Sequence, residues 1–179
     1  MSVLTRYNLR ARLLHWLMAP LLLAMLFIGA GMITSLRWRP TLLVWHVPLG
    51  LMLLVLVGLR LMNAMRHPIG PLPETLPRWQ VVAAIASHRL LYALMIAMPL
   101  LGWAMQSAGG LPIIVASDIL IPPILPPDPT LYALARTAHG LFARLLFAII
   151  LIHLSAGLFH AWVLRDGVFN RIGLWRRRS

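Results

Sequence analysis

The last long apolar stretch of the chain, Leu131 to Leu164, carries His139, His153 and His160 together with Arg136 and Arg144. His139 and His153 are fourteen positions apart, which is about 21 Å of helical rise and only about 40° around the axis. Two imidazoles therefore leave one helix face at two depths. Two more, His15 and His46, stand near the starts of earlier apolar stretches. An imidazole in an apolar span is costly unless it has a partner. The plain alternative is that each bonds a backbone carbonyl; the chemical one is that their nitrogens bind a metal.

Of the 179 residues, 60% are hydrophobic and 11% charged. A soluble domain has about a quarter of its residues charged, so the chain reads as a polytopic membrane protein. All the basic residues are Arg and the net charge is +12. Because the arginines are scattered between apolar spans and form no continuous stripe, nucleic-acid binding is not expected. Cysteine is absent, which excludes disulfides, thiolate zinc, cysteine-ligated iron–sulfur clusters and c-type haem attachment.

Four spans of about 20 residues, the length that crosses about 30 Å of hydrocarbon, are expected at 13–33, 41–63, 81–105 and 131–164, within a single domain covering 1–179. The first follows a basic segment, as a signal peptide would, but its apolar run exceeds the usual h-region and reads as a retained transmembrane helix. Residues 66–74 form a proline-rich loop. Residues 106–130 are rich in Pro and Gly yet apolar, and are expected to lie on the membrane surface with one short helix. Arg6, Arg10, Arg12, Arg60, Arg66, Arg78, Arg89, Arg165, Arg171, Arg176, Arg177 and Arg178 fall on one side, against Arg37, Arg39 and Arg136 on the other. The positive-inside rule then places both termini in the cytoplasm.

With that orientation, His15 and His153 share the inner depth, and His46 and His139 the outer. Zinc or di-metal carboxylate sites need Asp or Glu, and the spans have none. Two axial nitrogens at each of two levels suit a planar iron macrocycle. The expectation is an all-α integral membrane four-helix bundle binding two b-type haems, with His15 and His153 on the inner iron and His46 and His139 on the outer. The residues one turn on, Ala19, Gly50, Ala143 and Gly157, are all small, as a flat ring against the helix requires, although small residues also favour plain helix packing.

His160, seven positions past His153, is a candidate for a propionate hydrogen bond or for handing protons to a quinone; the bland reading is an interfacial histidine bonded to water or backbone. His88 is a weaker case of the same kind, and His67 reads as solvated. Arg60 reaches the inner level and can pair with propionates or snorkel to lipid. Arg136 suits the outer propionates or a steered anion. Arg144 lies inside the span with no side-chain carboxylate available, and a haem carboxylate is its expected partner. The tryptophans, Trp16 and Trp45 included, read as an interfacial belt.

Leu14-His15-Trp16, Trp45-His46-Val47 with Gly50, Arg60-Leu61, His88 with Tyr92 and Pro99, and His139, His153 and His160 running to Trp162 and Asp166 together resemble the bacterial di-haem cytochrome b561 family over nearly the whole chain. That family consists of four-helix inner-membrane cytochromes, and one member is a superoxide:ubiquinone oxidoreductase. The resemblance implies two haem b, ubiquinone as acceptor and superoxide as the periplasmic donor. The same fold resembles cytochrome b subunits that anchor hydrogenases and other dehydrogenases, so a redox partner protein is the alternative donor. A haem-free structural or transport bundle is the third reading.

Overall fold

The computed structural model describes residues 5–73, 76–115 and 118–174; Glu74, Trp175 and Arg176, Arg177 and Arg178 lie outside the described residues. Four long helices dominate: α1 (Leu9–Thr34), α2 (Arg39–Arg66), α3 (Arg78–Ala108) and α4 (Pro129–Phe159). Each is long and apolar enough to cross a membrane; α1, α2 and α3 overrun their expected spans at both ends, whereas α4 starts two residues early and ends at Phe159, short of the expected Leu164.

The starts are set by local chemistry. The Asn8 side chain accepts from the Ala11 amide (2.8 Å) at α1. At α4, Asp128 accepts from Thr130 and Leu131 (2.7 and 2.9 Å), and Pro129 opens the first turn. These caps satisfy amides that the helix leaves orphaned. Pro20, Pro48 and Pro99 lie inside α1, α2 and α3.

Helices adjacent in sequence pack side by side, α1 on α2, α2 on α3 and α3 on α4. One residue set joins all four: Met18, Val57, Leu91, Leu94, Met95 and Leu146. Outside this thin core the apolar side chains face outward, with Phe27 75% and Ile33 82% exposed. Helices that are apolar all round, with greasy outer faces, belong in lipid.

The α3–α4 connection departs from the expected short helix. It forms an antiparallel hairpin, β1 (Ile113–Val115) with β2 (Ile119–Ile121), in the register Ile113–Ile121, Ile114–Leu120 and Val115–Ile119. The two runs are mostly β-branched and are bracketed by Pro112 and Pro122, which favours strand over helix. The Trp103 indole donates to the Pro122 carbonyl (3.0 Å) and the Ile124 amide donates to Ser107 Oγ (3.1 Å), latching the connection onto α3.

At the opposite, terminal end, α4 continues as a π-helical turn, His160–Leu164, and then a 3₁₀ turn, Phe169–Arg171. Arg171 is only 4% exposed. Its guanidinium donates to the carbonyls of Thr5 (3.1 Å), Pro71 (3.1 Å) and Gly70, and its own carbonyl accepts from the Tyr7 amide (3.0 Å). One side chain thus ties the amino-terminal segment, the α2–α3 loop and the carboxyl-terminal segment together. Arg6 donates to Asn170 and Gly173, Arg12 to Gly173, and the Trp16 indole to Ile172. These bonds close the terminal end of the bundle.

Candidate functional site

The bundle brings the histidines together in the combinations that helical periodicity predicts. The rings of His15 (α1) and His153 (α4) have centroids 6.3 Å apart, and those of His46 (α2) and His139 (α4) 6.1 Å. The Nδ1 atoms of His15, His46 and His139 are buried without a hydrogen-bond partner. A buried ring nitrogen without a partner is costly, and the spacing of the matched ring pairs leaves room for a ligand between them.

Two imidazoles on opposite sides of one metal, with bonds of about 2.0 Å and ring nitrogens about 1.1 Å from each centroid, would stand about 6.2 Å centroid to centroid. Both observed pairs match that spacing. His88 also touches His153, at 5.3 Å and 66° between ring planes, about an ångström too close to admit a metal. His88 is therefore a neighbour of the inner pair rather than its alternative axial partner. Each ring pair has the spacing to hold one metal-centred group between its imidazoles.

The four small residues one turn beyond the histidines are not all vacant cradles. A Cβ at Gly50 would meet the Met25 methyl at 3.6 Å, and one at Gly157 the Phe169 ring at 3.9 Å. The glycines that lie against the histidines are on other helices: a Cβ at Gly29 would stand 3.8 Å from His46 Cε1, and one at Gly102 3.5 Å from His139 Cε1. Nothing in linear spacing connects these glycines to those rings.

Arg60 stacks over Tyr92, its guanidinium carbon 5.8 Å from the ring centroid, and its charge acts on His15, His88 and His153. It is placed at the inner pair. Arg136 and Arg144 are exposed on α4. His67 is exposed, and among the described residues its ring contacts the Asn63 carbonyl in its own turn.

Next to the inner pair is a cavity of about 400 Å³ lined by Trp16, His160, Trp162, Arg165, Phe169 and Asn170, among others. His160 Nδ1 is 2.6 Å from Asp166 Oδ2, and Asp166 Oδ1 accepts from the Val168 amide (3.0 Å). The π-helical turn and the left-handed Arg165 (φ 52°) swing the chain so that residue 166 returns to residue 160. The Trp16 ring touches His15 (5.3 Å) and Phe169 (6.4 Å), so it stands between the inner histidines and the cavity. Trp16, with its default reading as an interfacial belt residue, and Asp166, with no role assigned, are the site residues that sequence reasoning passes over. The signal available for Asp166 is that it stands six positions after His160, just past the end of the last apolar span.

Comparison with known proteins supplies the family. A family model described as prokaryotic cytochrome b561 matches residues 6–173. Cytochrome b561 homolog 1 of Escherichia coli (strain K12) is 29% identical over 145 residues, 79% of this chain and 78% of that protein. A protein of Yersinia pestis named probable superoxide oxidase CybB is 27% identical over 160 residues, 89% of this chain and 90% of its own length. Cytochrome b561 homolog 2 of Escherichia coli (strain K12) is 26% identical over 171 residues, 93% and 90%. The chain belongs to the prokaryotic cytochrome b561 family. It is a multi-pass bacterial membrane protein of an electron-transferring, b-type haem family.

Proposed function

We propose that this member of the prokaryotic cytochrome b561 family holds two haem b and moves electrons across the bacterial inner membrane, from superoxide on the periplasmic side to ubiquinone. The observation that carries this reading is two histidine ring pairs with centroids 6.3 and 6.1 Å apart, each with one member on α4. The positions of His139 and His153 put the two sites about 21 Å apart along α4.

Bound haem supplies reversible one-electron chemistry; the protein supplies position, charge and protons. His15 with His153, and His46 with His139, would hold the two haem irons. Arg60 provides positive charge beside the inner site for propionates, and Arg136 is the corresponding candidate at the outer one. Arg37 and Arg39 sit with Arg136 at the hairpin end, where the arginine distribution places the periplasm. A cluster of one sign of charge raises the encounter rate of a small anion. The name of the Yersinia pestis relative supports superoxide as that anion.

At the terminal end, the cavity beside Trp16 suits a quinone headgroup. His160 lines it, and Asp166 holds His160 Nδ1 at 2.6 Å. That bond orients the ring, so His160 can deliver a proton to a reduced quinone oxygen and recover it from the cytoplasmic side. His88, against His153, is the second candidate for proton handling.

The test is superoxide-dependent reduction of a short-chain ubiquinone by the purified haem-loaded protein in liposomes. Turnover with superoxide alone is expected. No turnover, together with a stoichiometric co-purifying partner, selects the alternative of a haem-bearing anchor for a dehydrogenase or hydrogenase. The hairpin gives that alternative a surface, since Ile114, Ile119 and Leu120 are each more than half exposed.

A further inference from the structure

Arg144 takes no part in the site described above. Taking 100° per residue, Phe142, His139, Ile149 and His153 lie within about 60° of buried Leu146 around α4, whereas Arg144 lies about 160° from it. It is exposed, and among the described residues it makes no hydrogen bond or ion pair. A guanidinium on the lipid face of a membrane helix needs an anion.

Its depth says which. Arg136 and Arg165 bracket the apolar part of this rod and are about 43 Å apart; a hydrocarbon layer of about 30 Å centred between them puts the Arg144 backbone about 5 Å inside the boundary at the hairpin end. Helical side chains lean toward the amino terminus, which for α4 is the hairpin end. An extended arginine arm of about 6 Å then brings the guanidinium to the headgroup level. Among the described residues the acidic ones, Asp118, Asp128 and Asp166, lie outside the four helices, so the helices of a second copy offer Arg144 no carboxylate.

The surroundings suit a headgroup. Toward the hairpin end, a Cβ at Gly140 would have nothing within 4 Å, and Thr137 is exposed on the same line of the helix. Arg136, exposed and likewise without an ion pair, adds positive charge about 12 Å nearer the hairpin end. We propose that Arg144, with Thr137 and Gly140 beneath it, binds the phosphodiester of an acidic phospholipid from the leaflet at the hairpin end. The guanidinium fork matches two phosphate oxygens, and the acyl chains lie along Leu141, Ala148 and Leu151, all exposed on the outward side of α4.

Native mass spectrometry of the full chain, titrated with phosphatidylglycerol or phosphatidylcholine of identical acyl chains, tests this. One phosphatidylglycerol per chain is expected to bind at least tenfold tighter than phosphatidylcholine. That preference is expected to disappear in Arg144→Leu, weaken in Arg144→Lys and persist in Arg78→Leu, which removes an exposed arginine at the terminal end. Millimolar inorganic phosphate should leave the lipid bound. Arg144→Gln serves the same comparison if the leucine variant does not give a monodisperse, helical protein. Equal retention of both lipids, an unchanged preference in the Arg144 variants, displacement by free phosphate, or loss of a protein partner instead of a lipid would each overturn the assignment.

Discussion

Replacing Arg171 with Met keeps the length and most of the volume of the side chain and removes its donors. In the structure those donors serve three carbonyls, those of Thr5, Pro71 and Gly70, from a residue 4% exposed. A charge-assisted hydrogen bond is worth about 1.5–3 kcal/mol. The three carbonyls lie at the terminal end, where water can reach them once the clasp opens, so the sum is discounted to about 3 kcal/mol in total. That corresponds to an increase of about 150-fold in the opening equilibrium of the segments it ties. Hydrogen exchange followed by mass spectrometry reads this directly: peptides covering 5–8 and 166–174 are expected to lose about two decades of protection in Arg171→Met. Peptides from the middle of α3 should stay unchanged. Because Trp16 and His160 line the cavity that this segment closes, the KM for quinone should rise while haem content is retained. Arg171→Lys, with a point charge in place of a fork, should rescue only part of the protection. Unchanged exchange in the methionine variant, or uniform loss throughout the chain, would refute the clasp.

Asp166→Asn should lower the turnover of quinone reduction about 10- to 100-fold, with the reduced spectrum of the haems unaltered; a normal rate would remove His160 from proton delivery. His88→Ala should keep two haems per chain and His15→Ala should keep one, measured by pyridine haemochrome, because only His15 stands at the trans spacing from His153. The superoxide-dependent rate should fall steadily as ionic strength rises, since the attraction by Arg37, Arg39 and Arg136 is screened over a Debye length of about 10 Å at 0.1 M salt; a salt-insensitive rate in stopped-flow measurements counts against a steered anion.

Much of this architecture is legible in the sequence because a membrane leaves few options. Four apolar runs give four helices, and 14 positions between His139 and His153 give two depths on one face. The pairings with His46 and His15 follow from chain direction alone, and the ring contacts agree. The same arithmetic puts Arg144, five positions after His139, about 140° away from it around α4, on the exposed side; in the sequence alone, the absence of a side-chain carboxylate in the spans is what suggests a propionate partner.

Other features have no linear signature. Arg171 looks like one more basic residue of a positively charged tail, but its partners are about a hundred or more positions away in sequence. The contacts of Gly29 with His46 and of Gly102 with His139 depend on how neighbouring helices rotate about their axes. The hairpin at 113–121 is too short for periodicity to separate strand from helix, so β-branching and the flanking prolines decide it. The bond between Asp166 and His160 needs the π turn and the left-handed Arg165, neither of which composition announces.

The claim that everything functional rests on is that α4 presents one iron-binding nitrogen at each of two depths. Haem quantified per polypeptide by pyridine haemochrome, on the purified wild type and on His139→Ala and His153→Ala, measures it. Two b-type haems in the wild type and one in each variant, each variant losing a different component of the redox titration, is the predicted result. A wild type without haem, or variants that keep both, would contradict it.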